Sequence, residues 1–179
     1  MQFLCGWMDE PWQPVSRVAM FGWFAFYALF LLYMATDADG FLIVDNVNLV
    51  VHEAGHLVFA PFGYVMGIFG GTLFELLVPL GLAIYFFRQR QVPAVAFCAF
   101  WFFENLPYIA TYMEDARTVT LPLVGWGDEH DWELLFTHWG VLHLDRVIGG
   151  WTRTIGWLGM VGSVAWFAWR ALSSQVESR

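Results

Sequence analysis

Residues 18–35 read VAMFGWFAFYALFLLYMA, with no charged side chain among them. As a helix at 1.5 Å per residue such a stretch rises roughly 27 Å. That is close to the ~30 Å thickness of a bilayer's hydrocarbon core. The rest of the chain poses the same problem of burial. Of 179 residues, 59% are hydrophobic and only 13% charged, so one small soluble domain would lack the polar surface to cover them. Disorder is excluded for the same reason. A nucleic-acid partner is excluded by a net charge of −8 and by arginines that are scattered, with no lysine beside them. The expectation is an all-α integral membrane protein, a single membrane domain over residues 1–179 whose first partner is the lipid bilayer.

Apolar stretches of spanning length predict about five transmembrane helices. The first covers 18–35 and is closed by Thr36, Asp37, Asp39 and Gly40. A second begins after Asp45 and Asn46 and ends near Pro61 and Gly63. The third is read at 72–87, the fourth at 92–113 with an irregularity past Pro107, and the fifth at 154–172. Residues 62–71, FGYVMGIFGG, are apolar but too short to span, and read as a re-entrant loop or small hairpin. Trp132, Leu135, Phe136, Trp139 and Leu142 recur at helical spacing and predict an amphipathic helix on the membrane surface. Gly156, Gly159, Gly162 and Ser163 suit close helix packing. The opening MQFLCGWMDEPWQP has no basic segment ahead of an apolar one, so the first span is expected to be retained. Arginines divide evenly between the two sides of a five-span chain and give no orientation. A prokaryotic cytoplasmic membrane is the expected location. Cys5 and Cys98 form neither a disulfide framework nor a thiolate metal site.

The chemistry is concentrated in residues 52–56, HEAGH, a match to H-E-x-x-H. On a helix, His52 and His56 share one face with Cβ atoms about 5–6 Å apart, so two imidazoles can hold one Zn2+ ion. Glu53 is turned by about 100° and can stand beside a zinc-activated water without ligating the metal. Zinc lowers the pKa of such a water towards ~7, and a carboxylate can relay its proton. Two histidines and a glutamate inside an apolar helix are costly to keep, which favours a functional site.

A catalytic zinc takes a third protein ligand. Asp115 is the first candidate, in ENLPYIATYMEDAR, where Pro107 is expected to unwind or kink the helix and Asn105 to bond the freed groups or a bound substrate's backbone. His130, in GDEHDW, is the alternative third ligand. Glu75 and Glu104 are intramembrane carboxylates that can ligate, carry protons or pair with arginine. His138 and His143 are read as interfacial.

His52-Glu53-Ala54-Gly55-His56 in a membrane helix, followed by Asn105, Pro107 and an aspartate, resembles the site-2-protease-like intramembrane zinc metallopeptidases. The resemblance covers a three-helix core at residues 45–117. It implies His52 and His56 as zinc ligands, Glu53 as general base and Asp115 as third ligand. Asp115 stands in EDAR where that family has Leu-Asp-Gly, so His130 stays open. The implied activity is hydrolysis of peptide bonds in or near transmembrane segments of a membrane-protein or peptide substrate. That substrate would unwind beside Gly70 and Gly71 of the re-entrant segment, or beside Asn105 and Pro107. A zinc hydrolase of lipid amides or esters, and a non-enzymatic scaffold with a relic metal site, are the alternatives.

Overall fold

The computed structural model describes residues 10–36, 42–122 and 129–177. Cys5, the first residues, and the polar stop at Asp37, Asp39 and Gly40 lie outside them. Among the described residues every regular element is helical. The order is α1 (Arg17–Thr36), α2 (Asp45–Phe59), α3 (Tyr64–Arg88), α4 (Val92–Glu114), α5 (Asp131–His138) and α6 (Asp145–Glu177). Short 3-10 turns, Ala60–Phe62 and Leu142–Leu144, precede α3 and α6.

Three of the described helices, α1, α3 and α4, are long and apolar enough to cross a membrane. The expected second and fifth spans are not among them. With 15 residues, α2 is roughly 22 Å long, short of the ~30 Å core. With 33 residues α6 is long enough, but its glycines, tryptophans and arginines dilute its apolar character. It still exposes Trp151, Ile155, Leu158, Val161, Trp169 and Leu172 on the side away from α4.

Residues 62–71 form no re-entrant loop. Gly63, with φ at 105°, ends the turn after α2, and α3 then runs unbroken from Tyr64. In apolar surroundings a helix satisfies its own backbone, whereas an open loop leaves N–H groups stranded. The glycines serve the packing of α2 on α3. A Cβ at Gly55 would collide with the Gly70 carbonyl oxygen, and one at Gly70 would stand 2.8 Å from the Gly55 oxygen. The two backbones therefore touch where these glycines meet.

Pro107 does not unwind α4, which continues to Glu114. Its ring packs on α6: a Cβ at Gly156 would overlap Pro107 Cδ, and one at Gly159 would overlap the Phe103 ring. Gly156 and Gly159 thus act as the spacing predicts, while Gly162 faces open space. One apolar core joins α1, α4 and α6 through Met20, Tyr27, Ala96, Phe100, Met160 and Phe167.

The stripe expected on the membrane surface turns inward. Trp132, Leu135 and Phe136 are buried against Ile109, Met113 and Ala116 at the end of α4. Only Trp139 of the stripe is exposed, and the helix ends before Leu142. Trp132 and Trp139 also meet Phe69 of α3 edge-on. This anchorage fixes the position of the residue just ahead of Trp132.

Candidate metal centre

That residue is Asp131. His52, His56 and Asp131 each offer a ligand atom, all within 4.8 Å of one another, the only such metal-capable group among the described residues. His52 Nε2 lies 2.8 Å from Asp131 Oδ2, and His56 Nε2 lies 3.2 Å from the same oxygen. The two rings stand edge to face with centroids 4.7 Å apart, as i and i+4 on one helix face require.

The far side of each ring also faces an acceptor. His56 Nδ1 donates to the Gly67 carbonyl at 2.8 Å. His52 Nδ1 faces the buried Glu75 carboxylate, with Oε2 at 3.3 Å, off the line of a strong hydrogen bond. Both imidazoles turn Nε2 to a shared point; His56 anchors Nδ1 on an acceptor, and His52 Nδ1 faces one without a hydrogen bond to it. Metal-binding histidines are held as His56 is, because an acceptor on one nitrogen leaves the other's lone pair for the metal.

The donor set fits zinc. Tetrahedral bonds of ~2.0–2.1 Å place ligand atoms about 3.3 Å apart. The spacings of 2.8 and 3.2 Å need to open by only a few tenths of an ångström. Two imidazole nitrogens and one carboxylate oxygen also suit zinc chemically. His52 is buried, whereas the His56 side chain is 26% exposed, so the site opens on the His56 side. Burial works to raise the pKa of Asp131, but the two imidazole hydrogen bonds outweigh it and hold the carboxyl below its ordinary range.

Gly71 makes room for His52. A Cβ there would stand 2.6 Å from His52 Cδ2 and 2.7 Å from Cε1, and would overlap Nε2. Tyr112 ties the elements together. Its hydroxyl oxygen accepts from the Asp131 N–H at 3.1 Å, its ring packs on His130 at 4.1 Å, and its edge faces His52 at 6.3 Å.

The structure brings neither residue expected as third ligand up to His52 and His56. The Asp115 carboxylate is taken up by its own loop, accepting from Thr118 and Thr120 hydroxyls at 2.5 and 2.6 Å and from the Thr120 and Leu121 N–H groups. Burial opposes its charge, but these donors prevail and hold its pKa at about 2. His130 is buried as the N-cap of α5, its Nδ1 accepting from the Glu133 N–H at 3.2 Å. Its Nε2 points towards Asp115, 3.6 Å away, and burial keeps its pKa low.

The residues expected to receive substrate have structural work instead. Gly70 and Gly71 lie in the contact between α2 and α3, and Pro107 in the contact between α4 and α6. Asn105 does bond a carbonyl freed by a proline, but the proline is Pro79. Lacking an N–H, Pro79 leaves the Glu75 carbonyl without its helical partner, and Asn105 Nδ2 donates to it at 3.0 Å. Glu53, half-buried, lies one residue along from His52. Glu104 is buried with Asp45 around Asn48, whose Nδ2 donates to both at 3.2 and 3.1 Å.

Asp131 was within reach of the sequence by one signal. It stands at the first position of a short helix whose apolar stripe had to be covered by something. No protein-family model matches the chain, and neither does any curated protein or solved structure.

Proposed function

We propose that the chain is a membrane-embedded zinc hydrolase that cuts peptide bonds in or near transmembrane segments. The observation that carries this reading is the convergence of His52 Nε2, His56 Nε2 and Asp131 Oδ2, with His56 Nδ1 held from behind by the Gly67 carbonyl. The H-E-x-x-H helix resembles that of the site-2-protease-like peptidases. The third ligand, Asp131 in place of Asp115, departs from them.

Zinc held by these three residues would polarise the scissile carbonyl and activate a water. Glu53 would accept the proton of the attacking water and return it to the amide nitrogen as the C–N bond breaks, leaving an acid and an amine. Asp131 and the two imidazoles keep their places through the anchors described above. Val47, Val50, Leu57 and Val58 leave an exposed apolar face on α2, on the far side of the helix from His52 and His56, which suits lipid around the site.

The test is elemental analysis of the detergent-purified chain, followed by cleavage of transmembrane peptides in liposomes. About one zinc per chain is expected, with cleavage falling at least ~100-fold in Glu53→Gln while zinc is retained. Wild type that takes up no zinc overturns the reading. Zinc-loaded protein that leaves peptides intact but hydrolyses lipid amides or esters overturns the peptidase assignment.

A further inference from the structure

Glu75 is the most deeply buried carboxylate beside the site, 1% exposed, and it lies on α3 rather than on the H-E-x-x-H helix. Gly71 and Glu75 are four residues apart and therefore share a face of α3. That face does two things to one ring. Gly71 leaves the space that the His52 ring occupies, and Glu75 sets an acceptor at the ring's far nitrogen, 3.3 Å from Nδ1. Neither carboxylate oxygen of Glu75 has a hydrogen-bond partner, and neither has His52 Nδ1 facing it. A buried carboxylate without donors is expensive, so its one neighbouring ring N–H matters to it.

The backbone at Glu75 is pinned as well. Pro79 frees its carbonyl and Asn105 Nδ2 from α4 takes it. The position of this carboxylate is thus set from two helices, neither of which supplies a zinc ligand.

We propose that Glu75 is a positioning residue for the metal: its carboxylate accepts the His52 Nδ1–H and so commits the Nε2 lone pair to zinc. The proposal rests on the metal reading above and deepens it. Glu75 touches neither zinc nor substrate and acts only through His52. Losing such an anchor typically weakens metal binding 10–100-fold.

The experiment measures zinc affinity of the full-length chain in detergent by chelator competition. Glu75→Met keeps the length of the side chain and suits the apolar site. It is expected to remain helical and to lose zinc affinity by ~10–100-fold. Glu75→Gln, which keeps a neutral acceptor, should fall between it and wild type. Glu104→Met is the control, a carboxylate of similar burial bonded to Asn48, and should stay within about 3-fold of wild type. In zinc-loaded wild type, 15N NMR should find the His52 proton on Nδ1, a result that does not depend on any variant folding. Unchanged zinc affinity in Glu75→Met, or an equal loss in Glu104→Met, would overturn the proposal while leaving the metal site standing; a proton on His52 Nε2, which could not then ligate zinc, would overturn both. Wild type that binds no zinc overturns both.

Discussion

Replacing Gly71 with alanine puts one carbon where the His52 ring lies. The Cβ would stand 2.6 Å from Cδ2 and 2.7 Å from Cε1. Carbon atoms pack best at ~3.5–4.0 Å, so ring and methyl must separate by about 1 Å. Three constraints limit how that happens. The Gly55–Gly70 contact holds α2 against α3, Glu75 stands behind Nδ1, and Asp131 stands ahead of Nε2. If the ring gives way, Nε2 moves by several times the ~0.2 Å tolerance of a zinc ligand. If the helices give way, overpacking costs about 1–3 kcal/mol. The ring is the softer element, so the expected effect is on metal more than on folding. Zinc affinity should fall at least ~100-fold, equivalent to about 2.7 kcal/mol, with helix content retained. Gly81→Ala lies in the same helix with nothing within 4 Å of its Cβ, and should bind zinc as wild type does. The assay is chelator competition beside circular dichroism. Gly71→Ala with wild-type zinc affinity would refute the placement of His52 and the reasoning built on it.

The two aspartates should separate cleanly: Asp131→Asn is expected to lose zinc on elemental analysis, whereas Asp115→Asn keeps it and unfolds more easily. The pH dependence of Asp115 follows from its depressed pKa, about 2 against an ordinary 3.8. Its stabilisation is complete above roughly pH 4 and is lost as pH falls towards about 2. Thermal unfolding of wild type and Asp115→Asn should therefore converge across that window, and a constant gap would count against the loop's hydrogen bonds. In α6, Gly156→Ala places a Cβ 2.9 Å from the Phe103 carbonyl oxygen and should lower stability by about 1–3 kcal/mol. Gly162→Ala meets nothing within 4 Å and should gain up to ~1 kcal/mol in helix propensity, both read by denaturant titration.

The pair of imidazoles was legible because both lie on one helix, where spacing alone fixes geometry. That Asp131 joins them depends on where a separate helix docks, and spacing says nothing of that. Asp115 looked suitable because it follows Asn105 and Pro107. Yet Thr118 and Thr120, three and five residues on, are the partners of an aspartate that organises its own loop. The stripe from Trp132 to Trp139 was read correctly as one-sided and assigned to the wrong neighbour, since lipid and protein both accept an apolar face. Residues 62–71 misled in the opposite way. Glycines that read as breaks are tolerated inside α3 because α2 presses against them. The Asn105 reading had the right chemistry and the wrong proline, as only tertiary contact brings α4 beside Pro79.

The separation of Asp131 from the histidines also has a consequence for biosynthesis. The imidazole pair is translated ahead of α3 and α4, and the aspartate only after both. A nascent chain inserted as far as α4 holds a two-ligand site, with Gly67, Gly71 and Glu75 already in reach of the rings. The proposed metal site can close only once α5 has left the ribosome and seated Trp132 against α4, so loading of a metal there would fall among the last steps of maturation. A ribosome stalled before residue 131 would carry an inserted chain that retains zinc poorly, which ties loading of the metal to completion of the part that holds it.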